Sequence, residues 1–189
     1  LDPFNKEAYY TLAIIYLSQG NKYQATYALN GAFKIELDDP FYFQRIGDLY
    51  LNLKNRKRAI LCYSRAIELD PTKAQFYLSR ARVYSTIKNF NKAEVDYTKT
   101  IQLEPNNENF YLGRGNLYCE QESYLLAKSD YDKALELNSK YYQGYVARGK
   151  LYTALGDSNK AIADFTAAIK IDPKKTGAYM ARADVYFSE

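Results

Sequence analysis

Four arginines stand 34 residues apart: Arg80, Arg114, Arg148 and Arg182. Each is the fourth residue of a recurring phrase, "YLSRARVY", "YLGRGNLY", "YVARGKLY" and "YMARADVY". A row of guanidinium groups could bind a polyanion, because each offers a rigid fork of N–H donors that fits carboxylate or phosphate. It could equally belong to the scaffold, each cation being met by an acid of the fold. The acids for the second reading are present: Asp96, Asp130 and Asp164 follow the first three arginines by 16 residues.

Other reactive chemistry is sparse. Histidine is absent, which removes the commonest metal ligand and general base. Cys62 and Cys119 fit no metal spacing and are expected to be free thiols in a reducing compartment. There is no phosphate-binding glycine loop and no nucleophile elbow. The expectation is a non-enzymatic chain with no cofactor. Net charge is +4, from 26 basic and 22 acidic residues, too mild to argue for nucleic acid or an anionic membrane. No stretch reads as a signal peptide or a membrane span, and no Asn-x-Ser/Thr site occurs. A cytoplasmic setting is expected. The chain opens on Leu1 and stops in mid-pattern at "YFSE", so it is expected to be part of a longer protein.

The elements that position these residues follow from the same 34-residue period. Tyr16, Tyr50, Tyr84, Tyr118, Tyr152 and Tyr186 fall on one register. So do Ala25, Ala59, Ala93, Ala127 and Ala161, and the small set Ala13, Gly47, Ala81, Gly115, Gly149 and Ala183. Counting positions from Lys6, the repeats are 6–39, 40–73, 74–107, 108–141 and 142–175, with a partial one at 176–189, all in a single domain 1–189. Apolar positions 4, 8 and 11 are spaced for one helix face, and 20, 24, 27 and 28 for a second. Position 16, between them, holds Asn21, Asn55, Asn89, Ser123 and Asp157, all good N-cap residues. Pro71, Pro105 and Pro173 help to stop the second helix. In the first repeat Leu37 replaces that proline and the stop comes at Pro40, so its second helix is expected to run longer. The small residues allow close helix approach, and the aromatics fill the space around that contact.

A 34-residue helix-turn-helix with these landmarks resembles the tetratricopeptide repeat, with five full copies and a sixth first helix. Residues 1–5 resemble the end of an upstream copy. Tyr or Phe replaces the usual tryptophan at position 4, and Arg replaces leucine at position 7 in four copies. The resemblance implies an all-α, right-handed solenoid of antiparallel hairpins acting as a protein- or peptide-binding scaffold. Its concave groove would be lined by the first helices. On that footing the groove residues are Tyr10, Phe41, Gln44, Arg45, Asp48, Asn52, Gln75, Arg82, Asn109, Asn116, Glu120, Gln143 and Lys150. The amides Gln44, Gln75, Asn109, Asn116 and Gln143 could bond an extended peptide backbone.

Position 7 reads Leu12, Ile46, Arg80, Arg114, Arg148, Arg182, and position 23 reads Ala28, Cys62, Asp96, Asp130, Asp164. Apolar residues go with apolar ones and charge with opposite charge. In a hairpin that turns near position 15 the two positions lie at the same height. The expected ion pairs are therefore Arg80–Asp96, Arg114–Asp130 and Arg148–Asp164, with Arg182 turning to Asp164. The clamp by which relatives hold chaperone tails needs a lysine at position 5, where this chain has Tyr10, Gln44, Leu78, Leu112, Val146 and Met180. That mode is not expected. The basic run "KNRKR", residues 54–58, reads as a solvated turn capped by Asn55, with an anion contact or nuclear-import signal as the alternative. The uncovered sixth hairpin is expected to meet a neighbouring chain or a further segment. The rival readings are a regulatory or targeting module of a larger enzyme or complex, and, behind it, a nucleic-acid binder.

Overall fold

Short punctuated turns cut the chain into helices of 12 to 14 residues. The structure, a computed structural model, describes residues 6–34 and 38–187. The resemblance at residues 1–5 and the Leu37 substitution lie outside those residues, and so does the question of how far the second helix runs. The helices are α1 (Lys6–Ser18), α2 (Lys22–Lys34), α3 (Pro40–Asn52), α4 (Arg56–Leu69) and α5 (Ala74–Thr86). They continue as α6 (Phe90–Leu103), α7 (Glu108–Glu120), α8 (Tyr124–Leu137), α9 (Tyr142–Ala154), α10 (Ser158–Ile171) and α11 (Thr176–Phe187). Among the described residues there is no strand, and no helix is long and apolar enough to cross a membrane.

The helices fall into two units, α1–α5 and α6–α11. In the first, α1 packs on α2 and α3 on α4, with α5 against α4. In the second, α7/α8 and α9/α10 are the hairpins, with α6 packed on α7 and α11 on α10. The fold class is the all-α solenoid of helical hairpins.

Each hairpin turn is a helix stop closed by the backbone. Position 15 takes a left-handed conformation in every copy: φ is 73° at Gly20, 59° at Lys54, 57° at Lys88, 57° at Glu122 and 74° at Gly156. The next N–H then reaches back to the tyrosine carbonyl at position 11, as in Asn55 N to Tyr50 O and Asp157 N to Tyr152 O, 2.8 and 2.9 Å. The N–H of position 15 bonds the carbonyl of position 12, as in Lys54 N to Leu51 O, 2.8 Å. This pair of bonds satisfies carbonyls that the helix end would leave open. The following helix starts at once, capped by Asn55, Asn89 and Asp157, whose side-chain oxygens accept from Arg58 N, Lys92 N and Lys160 N. Ser123 stands at the same place, but its hydroxyl makes no cap bond.

In the hairpins α3/α4, α7/α8 and α9/α10 an aromatic ring is laid over a glycine. A Cβ on Gly47 would stand 2.6 Å from Tyr63 Cε1, and one on Gly115 or Gly149 equally close to Tyr131 or Phe165. Tyr63 and Phe165 are fully buried, as are Ala25, Ala59, Ala127 and Ala161 at the facing small position.

Candidate functional site

The arginine row is absorbed by the scaffold, in a way richer than one ion pair per hairpin. Arg114 donates from Nε and Nη2 to the two carboxylate oxygens of Asp130, both at 2.8 Å. Arg148 makes the same two-pronged contact with Asp164. A third N–H of each goes elsewhere. Arg114 Nη1 lies 3.1 Å from Thr98 Oγ1 on α6, and Arg148 Nη1 lies 2.6 Å from Asp132 Oδ1 on α8. In the first unit Arg80 Nη1 donates to Ser64 Oγ on α4, 2.8 Å.

The partner on the preceding helix is thus always position 25, 16 residues upstream of the arginine. Sequence reasoning missed it. The signal was available, because Ser64, Thr98, Asp132 and Thr166 share the 34-residue register. Arg182 corrects an expectation: it donates to Thr166 Oγ1 at 3.0 Å instead of turning to Asp164, because Asp164 is already held by Arg148. Arg80 and Asp96 lie in different units, and their pairing remains a proposal.

Tyrosines complete the setting. The guanidinium of Arg148 lies 5.7 Å from the Tyr145 ring and 6.0 Å from that of Tyr152, and Arg114 lies 5.8 Å from Tyr118. Such distances suit cation–π attraction. The hydrogen bonds that Arg148 donates to Asp164 lead the factors that raise the Arg148 pKa, against burial, which opposes the charge. These guanidinium groups are spoken for, so the row presents no free cation ladder.

The residues of the expected groove divide into engaged and open ones. In the first unit Arg45 lies over the Tyr10 ring at 4.9 Å and the Tyr42 ring at 5.8 Å, and it reaches Glu7 at 3.8 Å. Gln44 is only 8% exposed, so its amide is not offered to a ligand. Asp48 accepts from Tyr63 Oη at 2.6 Å. Phe41 is half exposed and meets Phe76 edge-on, with centroids 5.2 Å apart. Asn52, Gln75 and Arg82 are exposed. In the second unit Asn109 is tied down: its backbone N and Nδ2 donate to Asn107 Oδ1, and its Oδ1 accepts from Tyr141 Oη at 2.8 Å. It leaves the groove and joins the loop before α7.

Asn116, Glu120, Gln143 and Lys150 come together. They rim one cleft of about 820 Å³ between α7 and α9. Leu112, Val146, Ala147 and Leu151 make its apolar lining, with Tyr124, Tyr142 and Cys119 at its sides. The volume lies within the roughly 300–1,000 Å³ of ordinary ligand pockets. Tyr131 of α8 reaches it past Gly115: its hydroxyl donates to Asn116 Oδ1 at 2.8 Å and lies 3.3 Å from Cys119 Sγ. That bond orients the Asn116 amide so that its N–H donors remain for a ligand. Glu120 and Lys150 form no ion pair among the described residues. The cleft therefore offers an apolar floor, one oriented amide and one charge of each sign. Among the described residues no group of His, Cys, Asp and Glu is placed to hold a metal.

One further surface is open. Tyr179, Met180, Tyr186 and Phe187 on α11 are 41%, 66%, 56% and 90% exposed, whereas Tyr152, at the place of Tyr186 one repeat earlier, is 8% exposed. Tyr152 lies under α10, and no described helix follows α11.

Two family profiles described as "Tetratricopeptide repeat" match the chain, one at residues 42–73 and 142–175 and the other at 62–95. Among curated proteins none matches the sequence. Solved structures share the fold. A tetratricopeptide repeat protein from Parabacteroides merdae aligns at TM-score 0.80 and 22% identity, over 96% of this chain and 72% of its own. The MamA protein of Desulfovibrio magneticus, from residue 41 to its end, aligns at TM-score 0.74 and 19% identity, over 93% and 98%. YrrB, described as "a TPR protein with an unusual peptide-binding site", aligns at TM-score 0.65 and 22% identity, over 85% and 83%.

Proposed function

Because the chain is an array of tetratricopeptide repeats, a protein-interaction fold, we propose that it is a non-enzymatic scaffold that holds an extended peptide segment in the cleft between α7 and α9. The observation that carries this reading is the meeting of Asn116, Glu120, Gln143 and Lys150 around one apolar floor. Apolar side chains of the peptide would rest on Leu112, Val146 and Ala147. The free N–H groups of Asn116 would donate to a backbone carbonyl, as amides do in the recognition of extended chains. Glu120 and Lys150 would select a peptide with a basic and an acidic residue at opposite ends of the contact. YrrB, a TPR protein with an unusual peptide-binding site, supports the reading by likeness of fold.

The reading excludes a continuous basic groove of the kind that tracks a nucleic-acid backbone, because the rim carries one charge of each sign. It also makes the apolar face of α11 a second contact surface, for a neighbouring chain or a following segment.

The test is selection of peptides from a displayed random library on the whole chain, repeated with Asn116→Ala, Val146→Asp and Lys150→Glu. The reading expects Val146→Asp to abolish binding and Lys150→Glu to reverse the charge preference at one end, with unfolding midpoints unchanged. Peptides that bind all three variants as they bind the parent would place recognition elsewhere.

A further inference from the structure

We propose that the cleft between the basic turn and α5 binds a single oxyanion group, carried by a phosphorylated or acidic side chain of a peptide partner. The run "KNRKR", residues 54–58, spans the turn that joins α3 to α4 and the first residues of α4. The structure gathers Lys54 of the turn and Arg56 at the start of α4 with Arg82 of α5 around one cleft of about 240 Å³, closed by Leu51, Val83 and Thr86. No carboxylate lines it. None of the three cations forms an ion pair among the described residues, whereas Arg45, Arg65 and Lys73 of the same unit pair with Glu7, Glu68 and Asp70.

The fold does not require these charges. The same three places one repeat earlier hold Gly20, Lys22 and Asp48, and farther along the chain they hold Glu122, Tyr124 and Lys150, then Gly156, Ser158 and Asp184. None of these other copies holds three cations at the three places, and here the three line one cleft. Like charges around a small cleft repel one another, and a bound oxyanion replaces that repulsion with charge-assisted hydrogen bonds. Two guanidinium forks and an ammonium suit the several oxygens of one phosphate or carboxylate. The cleft is smaller than the roughly 300–1,000 Å³ that encloses a whole small molecule. It therefore fits one head group, with the rest of the ligand outside. That a peptide carries the group rests on the proposed function; the anion site itself rests on the cleft.

The experiment separates these two claims. Inorganic phosphate is titrated into the ¹⁵N-labelled whole chain at fixed ionic strength. Saturable shifts of the amides of residues 54–58 and 82–86 are expected, and they should weaken about tenfold in Lys54→Gly and in Arg82→Gln. Lys54→Gly keeps the turn intact, because glycine suits its φ of 59°. Shifts that do not saturate, or that both variants retain, overturn the site. Three peptides identical except for phosphoserine, glutamate or serine at one residue are then compared. Tighter binding of the phosphoserine or glutamate form, lost in both variants, supports the assignment, and the better of the two names the source. Equal binding of the serine form, or tighter binding of a single-stranded RNA of equal charge, overturns the peptide assignment even if phosphate binds.

Discussion

Arg114 grips Asp130 through two parallel hydrogen bonds of 2.8 Å and keeps a third N–H for Thr98 on the helix before. One side chain thus ties the two helices of its own hairpin and sews that hairpin to its predecessor. The Asp130 side chain is 7% exposed. Removing only the arginine strands a buried carboxylate, and that is the costly half of breaking such a pair.

Arg114→Leu alone is therefore expected to lower stability by about 3–5 kcal/mol. Arg114→Leu with Asp130→Ala reproduces Leu12 and Ala28 of the first repeat, where Ala28 is fully buried. The double variant should recover most of the loss. Urea unfolding of the four proteins in a double-mutant cycle measures this. Equal losses in the single and double variants would show that the buried charge is not the cause.

Arg148 has a carboxylate on each side, Asp164 and Asp132, and the second makes its part of the scaffold sensitive to acid. Burial pushes the Asp132 pKa up, but hydrogen bonds from Lys128 and Arg148 outweigh it and leave the group below its ordinary value of 3.8. A carboxylate depressed in the folded state contributes stability that is complete above its unfolded pKa. That contribution is lost as pH falls through the folded one. The difference in urea midpoint between the parent and Asp132→Asn should be constant from neutral pH down to about pH 5 and shrink below about pH 4. A difference that stays constant to pH 3 would mean that Asp132 is not held by these cations.

The 34-residue register made the helices legible, because helix starts such as Pro40, Glu108 and Tyr142 all fall on the first position of a repeat. The pairs within a hairpin were legible for the same reason, since charge at position 7 follows charge at position 23. The contacts to position 25 were not, because hydroxyls such as Ser64, Thr98 and Thr166 carry no charge to match. Nor could the register say which groove amides stay open. Gln143 and Asn109 hold the same repeat position, but only Asn109 has Asn107 and the Tyr141 hydroxyl within reach. Asn116 is oriented by Tyr131, whose ring passes over Gly115 from the other helix of the hairpin. That neighbour lies 15 residues away in sequence.

Two adjacent residues depart from what their places prefer. The Gln121 amide nitrogen is buried without an acceptor, at a position where other repeats hold Leu53, Ile87 and Leu155. Glu122 has a φ of 57° where Gly20 and Gly156 stand in other turns. Gln121→Leu removes an unmet polar group and should stabilise by about 1–3 kcal/mol. Glu122→Gly should add about 1 kcal/mol by relieving the left-handed backbone. Each should raise the thermal midpoint by about 2–4 °C per kcal/mol. Because the residues are neighbours, their effects need not add. A fall in midpoint for Gln121→Leu would mean that the amide has a partner in solution.

The two cysteines provide a probe of the cleft. Cys62 is fully buried, at 0% exposure, and burial pushes its thiol pKa up to about 12. The reactive species is the thiolate, so native Cys62 should resist alkylation until the first unit opens. Cys119 is half-buried and lines the cleft beside Asn116 and Glu120. Treatment of the native chain with iodoacetamide should therefore label Cys119 while sparing Cys62, as read by peptide mass mapping. A peptide held between α7 and α9 should slow labelling of Cys119 and leave Cys62 as it was. Tyr131→Phe separates access from orientation: it removes the hydroxyl beside the sulfur and frees the Asn116 amide to rotate, while the cleft stays open. It should keep Cys119 labelling and weaken peptide binding, whereas protection of Cys119 at unchanged affinity in that variant would remove Asn116 from the binding contact.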